Sequence, residues 1–176
     1  MHSASWAGCR RPSRLESVTV RRINLGELEF EYDETDPDGY RAGMARFGPS
    51  IEAVRLGGTV YELPPGQSVC PYHYEYPEEE WVIVLEGRPT LRHPDGEDEL
   101  TPSDVVCFPE GPDGAHKLTN RTDETVRVLM LSTRSNPAVA VYPDSDKIGV
   151  WPVPGGGADH VLVRRSSRVD YYDGET

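Results

Sequence analysis

Residues 66–87 read GQSVCPYHYEYPEEEWVIVLEG and carry the strongest structural signal in the chain. Side chains alternate across a β-strand, so His73 and Glu75 are expected to project from the same face, one pleat apart. A turn should follow, leading into a second strand that is continuously apolar at residues 82–85. Glycines at both ends and prolines within the stretch indicate short strands joined by turns. The pattern predicts polar side chains held on one face of a small antiparallel sheet.

Three consecutive glutamates offer a carboxylate that faces this histidine. Glu78 falls in the predicted turn. Because side chains alternate along a strand, Glu79 points to the opposite face from its two neighbours. Glu80 begins the apolar strand and shares a face with Val82. We therefore expect Glu80, rather than Glu78 or Glu79, to point toward His73.

A second stretch, residues 103–120, reads SDVVCFPEGPDGAHKLTN and brings in His116 after a turn rich in glycine and proline. A lone histidine is more often a hydrogen-bonded structural residue, and consecutive glutamates are usually solvated. Buried together, such groups are costly unless they are paired or coordinate a metal. Nitrogen and oxygen donors that converge from separate strands are typical of a divalent-cation site. The sequence predicts such a site from His73, Glu75, Glu80 and His116.

Composition limits the class of protein. The 176 residues include 17 Gly and 16 Pro with 36% apolar residues, which favours an all-β domain with many turns. A net charge of −12 argues against a nucleic-acid-binding surface. Three cysteines without a CxxC motif indicate reduced thiols in a cytoplasmic protein, with Cys70 and Cys107 expected to be buried. No apolar run approaches the roughly 18 residues needed to span a membrane.

The chain divides into a flexible arm at residues 1–16 and one domain at 17–176, with its core motifs at 57–134 and an extension at 135–176. A short helix is expected only near 41–46 or 50–55. The extension contains apolar runs at 160–163 and 169–172 that are expected to return as extended segments and cover a sheet edge. The main strands are expected at 18–23, 57–63, 68–76, 80–85, 88–92, 105–108, 117–120 and 126–133.

The first stretch resembles the first motif of the cupin superfamily. That motif runs Gly, five residues, His-x-His, three or four residues, Glu, six residues, Gly. Gly66, His73, Glu80 and Gly87 match it, with the first gap one residue longer than the pattern. Glu75 departs from it, since it occupies the position of the second histidine.

The second stretch resembles the second cupin motif, which runs Gly, five residues, Pro-x-Gly, two residues, His, three residues, Asn. Pro109, Gly111, His116 and Asn120 match it, with two extra residues before the histidine. Ser103 stands where the motif has its glycine. Both motifs in the right order predict a single antiparallel jelly-roll β-barrel with an N-terminal arm and a C-terminal extension.

The resemblance also implies function. Cupins hold a divalent metal such as Fe, Mn, Ni or Zn with three histidines and one glutamate, and His73, Glu80 and His116 match these ligands by position. The family implies a small-molecule substrate and a homodimer. The net charge and the lack of a long apolar run predict no nucleic-acid or membrane partner. Dioxygenases and sugar-phosphate isomerases are the nearest enzyme classes. The alternative is a non-catalytic barrel that has lost its metal and binds a small ligand.

Glu75 leaves three arrangements open. His73, Glu75, Glu80 and His116 form a site with two histidines and two glutamates, which favours harder metals over copper. Alternatively, His73, Glu75 and His116 form a facial triad of the kind non-haem iron oxygenases use, and Glu80 orients a ligand or acts as a base. In the third arrangement the pocket holds no metal. Glu75 and Glu80 are the candidate catalytic residues, because whichever is not tightly coordinated can move a proton.

Other residues are candidates for the mouth of the barrel. Tyr61 or Glu62 is expected to line it, and Arg127 and Arg134 are considered as contacts for an anionic substrate. The sequence shows no basic cluster there that would favour a phosphosugar. The segment at 142–146 is expected to pack as part of the extension rather than to act as a lid.

Overall fold

A computed structural model of the chain describes residues 20–152 and 157–176. The predicted arm at 1–16 lies outside these residues, and short 3₁₀ turns are the only helical elements within them. The strands in chain order are β1 (Gly43–Arg46), β2 (Leu56–Leu63), β3 (Tyr74–Tyr76), β4 (Glu80–Glu86), β5 (Thr90–His93), β6 (Gly96–Glu99), β7 (Val105–Phe108), β8 (Lys117–Thr119), β9 (Val126–Thr133), β10 (Ala138–Tyr142), β11 (Lys147–Trp151) and β12 (Val161–Arg164).

The strands form three antiparallel sheets. The largest has the order β1-β2-β9-β4-β7, a second has the order β12-β11-β10-β3, and the third has the order β6-β5-β8. Neighbours in the sheets are often distant in sequence, as where β9 inserts between β2 and β4. The all-β antiparallel prediction is confirmed.

The core lies on the inner face of the largest sheet. Val82 and Val84 of β4 and Val126 and Val128 of β9 are at most 1% exposed, whereas Trp81 on the opposite face of β4 is 41% exposed. This alternation is the one that the apolar strand predicts. Burying each such side chain stabilises the fold by about 1.5–3 kcal/mol.

The register of the sheets determines where the polar side chains meet. Glu80 lies opposite Ser132 of β9 on one side and Phe108 of β7 on the other. His73 and His116 face each other as an isolated bridge between the segments that precede β3 and β8. Because Glu80 is the first residue of β4, its carboxylate points inward at the end of the apolar core rather than within it.

The C-terminal extension is part of the barrel wall. β10 pairs with β3, so that Ala140 lies opposite Glu75 and Val141 opposite Tyr74. Two hydrogen bonds of 2.5 and 3.0 Å from the Arg92 guanidinium to the Asp144 carboxylate join the β10–β11 hairpin to β5. The predicted return at 160–163 corresponds to β12, which covers the edge of β11.

Several predicted elements are wrong. Residues 20–23 form no strand, and Val20 is 85% exposed because no neighbouring strand covers it. Of the two segments where a short helix was expected, 41–46 contains β1 instead, since its backbone pairs along β2, whereas 50–55 overlaps a 3₁₀ turn at Pro49–Ile51. The single strand expected at 68–76 is reduced to β3, and residues 169–172 form no strand.

The thiols differ from the prediction as well. Cys107 is exposed, because it lies opposite Trp81 on the outer face of the β4–β7 pair, and Cys70 is half-buried. Cys9 and residues 153–156 lie outside the described residues. Among the described residues, no helix is long and apolar enough to cross a membrane.

Candidate metal centre

His73 and His116 are held together through their backbones. The amide of His73 donates to the carbonyl of His116 at 3.1 Å, and the amide of His116 donates to the carbonyl of His73 at 2.8 Å. Their ring centroids lie 4.7 Å apart, and both residues are buried. Phe108 stacks on the His116 ring with a centroid separation of 3.7 Å. These contacts fix both imidazoles at the inner end of β4.

Each ring is oriented by a backbone carbonyl close to it in sequence. Nδ1 of His116 lies 2.9 Å from the carbonyl oxygen of Gly114, and Nδ1 of His73 lies 3.1 Å from that of Pro71. A carbonyl only accepts, so these contacts place a hydrogen on Nδ1 and leave the lone pair of a neutral ring on Nε2. Nε2 of His116 is buried and, among the described residues, has no hydrogen-bond partner. This is how proteins orient histidines that bind metals.

Glu80 completes a three-residue group. Its Oε2 lies 3.5 Å from Nε2 of His73 and 3.5 Å from Nε2 of His116. The ligand atoms of His73, Glu80 and His116 all lie within 4.8 Å of one another. Donors bound about 2.0–2.2 Å from one metal ion are separated by roughly 3–4 Å. The residues therefore fit a divalent cation, and the unpartnered Nε2 of His116 is the observation that most favours one.

The other two glutamates of the run are engaged elsewhere. Glu78 accepts hydrogen bonds from the amide of Ser135 at 2.7 Å and from its hydroxyl at 2.9 Å. Glu79 accepts a hydrogen bond of 2.7 Å from Nε1 of Trp81 on the outer face. The structure brings Glu80 to the histidines, as parity and the predicted turn together indicate.

Glu75 lies beside the three-residue group. Its Oε1 is 4.0 Å from Nε2 of His73, and the residue also borders an open cavity. Burial and the negative charge of Glu80 raise the pKa of Glu75 to about 8. Burial alone would also raise the pKa of Glu80, but its hydrogen bond to His73 and the charges of both histidines hold that pKa below its usual value. The two carboxyls thus differ in proton affinity.

The two histidines differ in the same way. Burial, followed by the positive charge of His73, lowers the pKa of His116 to about 4. For His73, burial opposes the charged form, but the Cys70 sulfur and the Glu80 carboxylate more than offset it and raise its pKa to about 11. The Cys70 sulfur lies 3.4 Å from Nδ1 of His73. Without a bound cation, the positive charge of protonated His73 therefore offsets the negative charge of the Glu80 carboxylate.

A cavity of about 250 Å³ opens from this group. Its lining includes Glu75, Glu80, Tyr61 and Tyr142. Tyr142 stacks on His73 with centroids 5.9 Å apart, although sequence reasoning placed it only in a packed extension. The cavity is large enough for a small metabolite, and the two phenols offer it hydrogen-bonding groups.

Side-chain alternation along β2 places the two candidates for the cavity mouth, Tyr61 and Glu62, on opposite faces of the sheet. Tyr61 lines the cavity, whereas Glu62 points to the other face of β2 and accepts hydrogen bonds from Arg127 and Tyr32. Arg127 is thus held by a carboxylate away from the cavity. The register shows a different cation on the cavity side, Arg46, which lies opposite the cavity-lining Thr59.

Comparisons with known proteins agree with this fold. Residues 59–132 match the family model of the cupin domain. A comparison with curated proteins gives no match. Among solved structures, a sugar phosphate isomerase of the cupin superfamily from Silicibacter pomeroyi is 25% identical with a TM-score of 0.72, and the match covers 86% of this chain and 98% of that chain.

Two further structures share the fold at lower identity. A proposed sugar phosphate isomerase from Acidithiobacillus ferrooxidans is 24% identical with a TM-score of 0.69, covering 84% of this chain and 95% of that one. The polyketide cyclase RemF from Streptomyces resistomycificus is 22% identical with a TM-score of 0.56, and the match covers 68% of this chain and 84% of that chain. These matches confirm the jelly-roll prediction. The resemblance to cupins is supported: both motifs lie within residues 59–132, which match the cupin domain model, and the barrel is similar to that of a cupin-superfamily structure.

Proposed function

We propose that this protein is a metal-dependent enzyme that moves a proton next to a carbonyl group of a small substrate, as in an aldose–ketose isomerisation. The observation that carries the proposal is the placement of Glu75 beside, rather than within, the group formed by His73, Glu80 and His116. This leaves one carboxylate facing the cavity. The similarity to a sugar phosphate isomerase over nearly the whole of that protein supports the reaction class.

His73, Glu80 and His116 are the proposed ligands. A bound divalent cation would act as a Lewis acid that polarises the substrate carbonyl. The carbonyls of Pro71 and Gly114 hold the two imidazoles in the orientation that directs Nε2 to the cation. The apolar face of β4 and β9 closes the site from below, which limits the entry of water.

Glu75 is the proposed proton carrier. Its carboxylate borders the cavity where a substrate carbon adjacent to the carbonyl would lie. A base in this position removes a proton from one carbon and returns it to the next, so a single carboxyl serves both half-reactions. Tyr142, which packs on His73, closes the side of the cavity and orients hydroxyl groups of the substrate.

Proton exchange tests this proposal directly. The protein loaded with Mn, Ni, Zn or Fe(II) is incubated in D₂O with a panel of aldoses, ketoses and their phosphates, and ¹H NMR follows the C–H group next to the carbonyl. We expect deuterium incorporation that requires metal and that falls at least about 100-fold in Glu75→Gln, the lower part of the range for loss of a general base. Glu79→Gln is the matched control, because Glu79 lies on the outer face.

A second function is favoured by the donor set itself. Two histidines and one carboxylate are also the ligands of non-haem iron oxygenases. The sequence-based triad used Glu75 as that carboxylate, whereas the geometry favours Glu80. An oxygen electrode separates the two functions: substrate-dependent O₂ uptake by the Fe(II) form without proton exchange would support the oxygenase and contradict the isomerase.

A further inference from the structure

The cavity face of the largest sheet carries a cation that the proposed chemistry does not use. Arg46 is the last residue of β1 and lies opposite Thr59 of β2. Thr59 lines the cavity, and residues opposite each other in an antiparallel pair project from the same face. Arg46 therefore rises from the cavity side of the sheet.

Within the described residues, Arg46 forms no ion pair with a carboxylate. The arginines that form ion pairs within the described residues are Arg21, Arg41, Arg88, Arg92, Arg121 and Arg127. Glu29 and Glu31 border a groove together with Arg46, but neither is among the carboxylates in these pairs. Several other described arginines also lack an ion pair, and what distinguishes Arg46 is its place on the cavity face of the sheet. Its planar fork suits a phosphate.

The charge of Arg46 acts on the cavity. Burial is the main reason that the pKa of Tyr61 rises to about 12, and the positive charge of Arg46 opposes that rise. Tyr61 lies on the cavity face of β2, two residues from Thr59. Arg46 is thus close enough to influence a cavity group electrostatically.

Hydroxyl donors lie between this cation and the proposed metal ligands. Ser132 lines the cavity and lies opposite Glu80 in one direction and Gly57 in the other. Its Oγ occupies the space above Gly57, where a Cβ atom would come within 2.7 Å of it. Thr59 and Ser132 therefore offer two hydroxyls along a path from Arg46 to Glu80.

The spacing matches a small phosphorylated substrate. β1 and β4 are three strand spacings apart in the sheet, or about 14 Å between backbones. The side chains of Arg46 and Glu80 project from the same face of this sheet, and both are long enough to span part of this gap, which leaves a distance on the scale of a sugar chain. We propose that Arg46, with the hydroxyls of Thr59 and Ser132, binds the phosphate group of a phosphorylated sugar whose carbonyl lies at His73, Glu80 and His116. This proposal rests on the proposed function and names its substrate class.

Calorimetry with matched compounds tests it. Metal affinity is measured first without sugar, and the loaded protein is then titrated with ribose and glucose, their phosphates and inorganic phosphate. We expect the wild type to bind at least one sugar phosphate about 10- to 100-fold more tightly than the unphosphorylated sugar, as charge-assisted hydrogen bonds predict. Arg46→Gln should abolish this preference, and Thr59→Val should reduce it, with metal affinity unchanged in both.

Arg88→Gln is the control, since it removes the same charge from an exposed pair with Glu99. No preference for phosphate in the wild type, or a preference that survives in Arg46→Gln, would overturn the proposal. If Arg46 served only to balance Glu29 and Glu31, Arg46→Gln would lower Tm and leave the preference intact, which also overturns it. If the protein does not bind metal, the titration without sugar shows this separately, so failure of the proposed metal function is distinguished from failure of the phosphate site.

Discussion

His73 and His116 are joined by reciprocal backbone hydrogen bonds of 3.1 and 2.8 Å, although 43 residues separate them in the chain. Two strand-like segments that carry the predicted ligands thus form one minimal antiparallel bridge. The distance between the imidazoles is set by the backbone and not by the side chains alone. Such a site is organised before any cation binds, which lowers the cost of ordering its ligands.

Glu80 should dominate metal affinity among the three consecutive glutamates. Glu80→Gln removes the carboxylate that lies 3.5 Å from both Nε2 atoms, and we expect metal affinity to fall by at least about 100-fold. Glu79→Gln should change it by less than about twofold, since Glu79 contacts Trp81 on the outer face. Isothermal titration with Zn²⁺ and Mn²⁺ measures both. Equal losses in the two variants would place the metal elsewhere.

Glu75→Gln distinguishes a three-ligand site from a four-ligand site. Because Glu75 lies beside the group of His73, Glu80 and His116, its loss should weaken metal binding by about 10-fold or less, through charge rather than coordination. The same titration compares it with Glu80→Gln. A loss as large as that of Glu80→Gln would show that both carboxylates coordinate the cation.

Ser103 carries backbone strain that a single substitution should relieve. Ser103 has a φ of 78°, close to the values of 78–82° at the motif glycines Gly66, Gly87 and Gly111. A non-glycine residue with such a positive φ strains the folded state by about 1–3 kcal/mol. Glycine avoids this strain, but its greater freedom in the unfolded chain lowers the stability by about 0.4–1 kcal/mol. Ser103→Gly should therefore raise the free energy of unfolding by about 1 kcal/mol, which corresponds to a rise in Tm of roughly 2–4 °C.

Ser103→Ala is the control for this experiment, because alanine keeps the strain and should give no gain. Chemical denaturation of both variants provides the free energies, and metal affinity should be unchanged. A stability of Ser103→Gly at or below that of the wild type would contradict the strain.

The Arg92–Asp144 pair should make the stability of the β10–β11 hairpin depend on pH. The hydrogen bond from Arg92 holds the pKa of Asp144 below its usual value, so the pair stabilises the folded state above the pKa of an unfolded aspartate, about 4. This contribution is lost as the pH falls through the lower, folded-state pKa. Both side chains are largely exposed, so Asp144→Asn should cost less than about 1 kcal/mol at pH 7.

Urea denaturation of the wild type and Asp144→Asn between pH 3 and pH 8 measures this dependence. The stability difference should be constant from pH 6 to 8 and shrink below about pH 4. A difference that grows toward low pH would mean that Asp144 is protonated in the native state. Asp98→Asn tests a carboxylate outside the hairpin for comparison.

The sequence predicts which side chains converge better than it predicts where the strands begin and end. Parity excludes Glu79 and the predicted turn excludes Glu78, which leaves Glu80. Parity is reliable here because the apolar face of β4 is buried and a shift of one residue would expose Val82 and Val84. The boundaries around residues 18–23 and 68–76 are wrong because strand formation depends on a partner that local pattern does not reveal. The same dependence explains why 41–46 forms β1 and why Cys107 is exposed.

Long-range register accounts for what the sequence could not predict. Tyr142 reaches the cavity because β10 pairs with β3, and Arg46 reaches it because β1 pairs with β2. The β10–β3 pairing has no local signal, since its partners are far apart in the chain. β1 and β2 are consecutive strands, and their pairing was missed because segment 41–46 was expected to be helical. The motif glycines do give a local signal, because they mark positions where the backbone has a positive φ. Ser103 stands at such a position, and its departure from the motif therefore indicates a strained backbone.

Metal content measured with and without the two histidines tests the central claim most directly. Elemental analysis of protein purified without added ions, followed by titration with Fe(II), Mn²⁺, Ni²⁺ and Zn²⁺, should give about one metal per chain. The double variant His73→Ala, His116→Ala, checked for a native circular dichroism spectrum, should bind none at the same site. A wild type that binds none of these cations, with an unchanged Tm in their presence, would contradict a metal centre at His73, Glu80 and His116.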